Sequence, residues 1–243
     1  MLETLSWIDT SEARFLFVSR TLIFGFATVA VLSAFWPRLD ARFTDRRATL
    51  GYLAAALLVL VGTRWPTFFI RGPLNQDEAQ MLAQAITALH NPIPWLSFDG
   101  TTSGPFNTYV LTLPALVFLH PSFFTTRVIG LLLEFGAIVS LYVAAALRFD
   151  RTIARIAIVP PVLLFAGLTD PELVHYSSER LSIFLGTLSL ALLCLALRHR
   201  LGAGWLFGIG LATGTMPLAK LQATPLAAAL AALSLVVVLT SPA

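Results

Sequence analysis

A chain of 243 residues with 57% hydrophobic and only 12% charged side chains is far too poor in charge for a water-soluble domain, where about a quarter of residues are charged. Mean hydropathy is +0.80. The net charge of +3 comes without a basic, aromatic-interleaved face, which excludes nucleic acid as a partner. The single cysteine, Cys194, excludes an internal disulfide, and continuous apolar runs exclude a transmembrane β-barrel. The fold class is all-α, a polytopic transmembrane helical bundle.

The amino-terminal stretch "MLETLSWIDTSEARF" carries Glu3, Asp9 and Glu12, the wrong charge for the leading region of a signal peptide. The first apolar run therefore reads as a retained anchor. Seven spans are predicted, at 15–36, 50–70, 123–147, 153–169, 181–197, 203–219 and 223–240, from runs approaching the roughly 20 residues that cross a bilayer. Residues 1–49 form an additional span and basic loop ahead of a main transmembrane module, 50–243.

Arginine placement sets the orientation. Arg38, Arg42, Arg46 and Arg47, then Arg148, Arg151 and Arg155, then Arg198 and Arg200 fall in three loops that one topology puts together on the cytoplasmic side. Segments 71–122 and 169–180 then lie outside. Within the first of them, 76–90 reads as an amphipathic interfacial helix. Leu82, Ala85, Ile86 and Leu89 fall on its apolar face, and Asp77, Gln80, Gln84 and Thr87 on its polar one. "NPIPWLSFDGTTSGP" breaks regular structure, and the apolar stretch 106–120, with Pro114 inside it, predicts a second short helix dipping into the outer leaflet. The last two spans form a pair whose hinge, "MPLAKLQATP", holds Lys220. The chain ends directly after an apolar run, as expected of the amino-terminal part of something longer.

Carboxylates gather in the outer segments: Asp77, Glu78, Asp99, Asp170, Glu172 and Glu179. Part of this is architectural. Asn75 is placed as a helix N-cap, with Glu78 three residues on completing a capping box, and Asp77 in the first turn meets the helix dipole. The two acids lie about 100° apart around the helix, so one can cap while the other faces a pocket. Glu134, inside the third span, is expected to pair with a buried arginine such as Arg20.

The order of features resembles the GT-C-fold glycosyltransferases that use polyprenyl-phosphate sugars. These include the protein O-mannosyltransferases and the transferases that add aminoarabinose or galacturonic acid to lipid A. The resemblance runs from about residue 50 to 225. It starts with the Asp77-Glu78 pair opening a helix after an early span, then "TTSGPFNTYVLTLPALVFLH", then Arg127 leading a span in "FFTTRVIGLLL". It ends with "LTDP", Leu168 to Pro171, and Lys220 in "PLAKLQ". The sequence departs from the family in having Ser103 and Gly104, rather than a lysine, before Pro105. Family members are also about twice as long, so this chain would hold the catalytic half.

The resemblance implies a bacterial inner-membrane enzyme with its site on the periplasmic face. Its partners would be a polyprenyl-phosphate-linked sugar donor, a lipid, glycan or protein acceptor, and the surrounding membrane lipids. The donor's leaving phosphate monoester is already a stable anion, so one general base suffices to activate the acceptor hydroxyl, and single displacement inverts the anomeric centre. Asp77 takes the base position. Asp170 is expected to orient the acceptor or share a divalent ion (Mg or Mn) with it, and Glu78 and Glu172 to assist. Lys220, Arg71 and Arg127 are the candidates for the donor phosphate, Arg180 a further one. Two other classes fit the sequence, a non-catalytic membrane scaffold (or degenerate transferase) and a transporter subunit. The crowding of acids on one face and the absence of a repeat argue against the transporter.

Overall fold

The computed structural model describes residues 2–35, 46–99, 103–167, 174–199 and 203–240. Among them the regular structure is entirely helical. The elements run α1 Leu2–Phe35, α2 Arg46–Phe68, α3 Gln76–His90, α4 Gly104–Thr112, α5 Phe123–Arg148, α6 Arg151–Gly167, α7 Ser178–His199, α8 Ala203–Ala219 and α9 Thr224–Thr240. Short 3-10 turns follow α4 (Leu113–Val117) and precede α9 (Leu221–Ala223).

Five stretches are long and apolar enough to cross a membrane: Arg14–Leu32, Arg46–Phe68, Phe123–Arg148, Ser178–Arg198 and Leu221–Thr240. The other two expected spans are present as helices of 17 residues each, α6 and α8, shorter than those five. The first helix starts well before residue 15, running unbroken from Leu2.

Two apolar clusters hold the bundle. One joins α1, α2, α5 and α6 through Phe26, Tyr52, Leu60, Ile138, Ile158 and Val162. The other joins α7, α8 and α9 through Leu181, Leu185, Met216 and Ala227. The α5–α7 pair links them, and Gly136 is what lets α7 approach so closely. A Cβ there would lie 2.8 Å from Cε2 of Phe184, so any side chain would push the ring away. Large apolar side chains such as Phe17, Phe24, Leu58, Phe207 and Leu239 point outward, a surface that water would not tolerate but lipid does.

Charge is sorted between the two ends. The arginines at the start of α2, the end of α5 and the end of α7 fall at the end opposite α3, where Arg151 and Arg198 line one recess and Thr49 lies near the Tyr142 hydroxyl. The α3 end instead carries Asp77, Glu78, Glu134 and Glu179, together with their partners Arg64, Arg127, Arg180 and Lys220.

α3 spans 76–90, as its pattern predicts, but it is rotated from the expected face. Glu78, Met81, Leu82, Ala85 and Ala88 are buried, whereas Ile86 and Leu89 are 43% and 41% exposed. The rotation follows from a charge: Glu78 is drawn inward by a buried partner on α5. The segment after Pro105 also departs from expectation. Its α-helix stops at Thr112 and tightens to a 3-10 turn with Pro114 in its first positions, because proline cannot donate the next helical hydrogen bond.

Candidate functional site

The site is built from the turn into α3 outward. Asn75 sits extended before the helix and its Oδ1 accepts the N–H of Asp77 at 2.7 Å, which caps one of the four unpaired N–H groups of the first turn. The capping box expected of Glu78 does not form. Its Oε2 accepts instead from the N–H of Leu74 at 3.0 Å, and Arg127 clamps the whole carboxylate. Nε of Arg127 donates to Oε1 at 2.8 Å and Nη2 to Oε2 at 2.7 Å, with both side chains fully buried.

The remaining N–H groups of Arg127 go to backbone carbonyls of the turn leaving α2. Nη1 donates to Thr67 and Ile70, and Nη2 to Gly72, each at 2.7 Å. A guanidinium has five N–H donors, and all five are committed. Arg127 and Glu78 are thus an architectural rivet joining α2, α3 and α5. The expected roles for Arg127 on a donor phosphate and for Glu78 on an acceptor or metal are corrected accordingly: neither presents an atom to a ligand in this arrangement.

Asp77, one residue earlier and a third of a turn away, has the opposite surroundings. It is exposed, and no described side chain pairs with its carboxylate. It lies on the wall of a cavity of about 430 Å³ with Met81, Glu134, Phe165, His175, Ser178, Glu179 and Arg180.

Glu134 reaches this cavity from α5 between two arginines. Its partners are Arg64 of α2, at 2.5 Å, and Arg180 of α7, rather than Arg20. Arg64 is held in place by Nε and Nη2 donating to the carbonyl of Phe165 at 3.3 and 3.0 Å. Glu134 thus bridges two guanidiniums, and Arg180 brings one of them to the cavity wall.

A second recess, of about 450 Å³, adjoins the first and shares Glu179 and Ile183 with it. Ser182, Met216, Lys220, Gln222, Ala223 and Leu226 complete its lining, which is mostly apolar. Lys220 stands at the break between α8 and α9 and is tied to Glu179 by an ion pair and to Ser178 Oγ at 2.8 Å. It lies on the second recess, not on the cavity of Asp77. Arg71 is exposed after the end of α2 and lines neither.

The floor is a polar knot that sequence reasoning missed. Asn107 is fully buried, and its Nδ2 donates to the carbonyls of Ser103 (2.7 Å), Ser178 (3.4 Å) and Ala219. Its Oδ1 accepts from the Tyr176 hydroxyl at 2.6 Å. Burial pushes that phenol's pKa up, with Arg180 opposing, so it stays protonated and donates. An amide inside the apolar run "GPFNTYVL" was the available signal. Gly104 completes the joint. Its φ is +67°, and a Cβ would collide with the Leu218 carbonyl oxygen, so only glycine lets α4 start against the end of α8.

Asp170 and Glu172 lie outside the described residues, as does the "LTDP" element. Among the described residues no three His, Cys, Asp or Glu side chains gather as a metal set. Comparison of the chain with protein family models, with curated proteins and with solved structures gives no match.

Proposed function

We propose that the chain is a membrane glycosyltransferase of GT-C type, or the catalytic half of one, that moves a sugar from a polyprenyl-phosphate donor to an acceptor hydroxyl. One observation carries the reading: Asp77, with no described side-chain partner, shares a cavity with the Glu134–Arg180 ion pair, beside an apolar recess bordered by Lys220. Such an arrangement suits a substrate with a sugar, a phosphate and a hydrocarbon tail in that order.

In this reading the sugar occupies the Asp77 cavity. Its phosphate meets the Arg180 guanidinium on the cavity wall, and the first prenyl units enter the recess of Met216 and Leu226. The acceptor oxygen attacks C1 of the sugar as Asp77 takes its proton. The C1–O bond to phosphate breaks, and polyprenyl phosphate departs with the bonding electron pair. Fixed charge in a water-poor cavity stabilises the phosphate more strongly than water-exposed charge does. Arg180 thus takes the leading place that the sequence reading gave to Lys220, because it lines the Asp77 cavity and Lys220 does not. Lys220 contributes at the recess once phosphate competes with Glu179 for it. In the same proposal all seven long helices span, α6 and α8 at the short end of the spanning range. The arginine-rich end is cytoplasmic, so the cavity opens outside.

The test is mass spectrometry of polyprenyl-phosphate sugars in cells lacking the protein, rescued with wild type or Asp77→Asn. One lipid-linked sugar should accumulate in the knockout, fall on wild-type rescue and accumulate again with the variant. Full rescue by Asp77→Asn would remove the base. No change in any such lipid would favour a scaffold.

A further inference from the structure

Behind the Glu134 cluster lies a cavity that the transfer reaction does not use. It measures about 410 Å³ and is enclosed by α1, α2 and the end of α6. Ser19, Arg20, Thr63, Arg64 and Thr67 contribute its polar lining, and Phe15, Ile23, Ile70, Leu74, Ala166 and Val174 its apolar lining. Two of the polar groups lack partners. Ser19 is 8% exposed, and its Oγ is buried with no hydrogen-bond partner, although a serine in a helix can ordinarily bond a carbonyl one turn back. Arg20 stands one residue on, within the apolar stretch Arg14–Leu32, and no described acid pairs with it. Its side chain is exposed, and an arginine near the end of a span is ordinarily satisfied by an anion or water at the interface.

We propose that this cavity binds the phosphate of an anionic glycerophospholipid, held by the Arg20 guanidinium and the Ser19 hydroxyl. The chemistry is complementary in each part. A phosphate diester offers acceptor oxygens to a fork of N–H donors and to an O–H donor. Arg64, whose guanidinium is held by Glu134 and the Phe165 carbonyl, forms the facing wall. The apolar residues around the mouth suit the glycerol and the first methylenes of the acyl chains. The cavity sits at the same end of the bundle as α3, where a lipid phosphate lies level with helix ends rather than mid-bilayer. A peptide fits less well, because the described polar side chains of the cavity are cations and hydroxyls, which suit an anion better than a row of backbone N–H groups. This site does not depend on the chain being a transferase.

The full chain, purified and delipidated in detergent, would be incubated with phosphatidylglycerol, phosphatidylcholine or inorganic phosphate and examined by native mass spectrometry. Wild type should retain one phosphatidylglycerol in preference to phosphatidylcholine. Arg20→Gln should weaken that retention about tenfold, as expected for a charge-assisted contact, and Ser19→Ala by about threefold. Arg14→Gln, exposed on the same helix outside the cavity, should leave it unchanged. Arg20→Lys, which keeps the charge, should retain the lipid and guards against a folding defect in the glutamine variant. Equal retention of both lipids by wild type, or undiminished phosphatidylglycerol on Arg20→Gln, would overturn the proposal. So would inorganic phosphate displacing the lipid at comparable concentration, since the site would then belong to the free anion.

Discussion

The two corners where α3 meets the bundle are built on opposite plans, although they begin at adjacent residues. At the Glu78 corner every charge is answered: one carboxylate and five N–H groups close on each other and on three backbone carbonyls, with no exposed surface. At the Asp77 corner a carboxylate faces a cavity that Glu134, Glu179 and Arg180 also line, and no described side chain pairs with it. A saturated buried pair has nothing left for a ligand, and an unsaturated one has all its acceptor capacity left. The contrast teaches that the proximity of two acids in sequence says little about which one does chemistry. What decides is whether the fold spends its hydrogen bonds.

The strongest way to break this comparison is at the closed corner. Arg127→Leu leaves Glu78 buried without a counter-charge and strands the carbonyls of Thr67, Ile70 and Gly72, so a loss of about 3–5 kcal/mol is expected. Glu78→Gln keeps one oxygen acceptor for the guanidinium and should cost less, about 1–3 kcal/mol. Thermal unfolding of both variants in the same detergent would order them. If Arg127→Leu melts like wild type, the corner is not the rivet described.

Gly104→Ala should follow at about 1–3 kcal/mol, because it combines a left-handed backbone with a collision at Leu218. Its signature would be local, with faster amide exchange at the α4–α8 joint than elsewhere. Exchange rising evenly over the whole bundle would argue against that joint being the weak point.

Smaller still is Asn75→Ala, which removes the cap on the Asp77 N–H and should cost about 1 kcal/mol. Smallest in stability is Asp77→Asn. It keeps the cap and loses only a dipole interaction, within about 0.5 kcal/mol, and under the proposed function it should abolish transfer. This is where the comparison is sharpest. A melting loss at Asp77→Asn as large as that of Asn75→Ala would mean that Asp77 serves the helix rather than a substrate.

How far the site could be read beforehand follows from which residues depend on neighbours near in sequence. Asp77 was identifiable because its cap and its polar face are local features of "LNQDEAQ". Lys220 was identifiable as a cation at a helix break, but not as the partner of Glu179, 41 residues away. Arg180 and His175 come to the cavity, and Asn107 to the buried joint beside it, from segments whose own patterns resemble ordinary span ends and loops, and no periodicity announces where such a side chain finishes.

The sequence by itself determined that the chain is helical and lipid-facing, where α3 begins and ends, and that α8 and α9 break at Lys220. These depend on apolar run length, capping residues and proline, all of which act within a turn or two. Tertiary structure alone decided which face of α3 is buried and which acid is sealed. It also paired Glu134 with Arg64 and Arg180, 70 and 46 residues away, instead of Arg20. The physical reason is that a charge removed from water must find its counter-charge in three dimensions. Meeting that demand outweighed the apolar preference of Ile86 and Leu89, which ended on the outside.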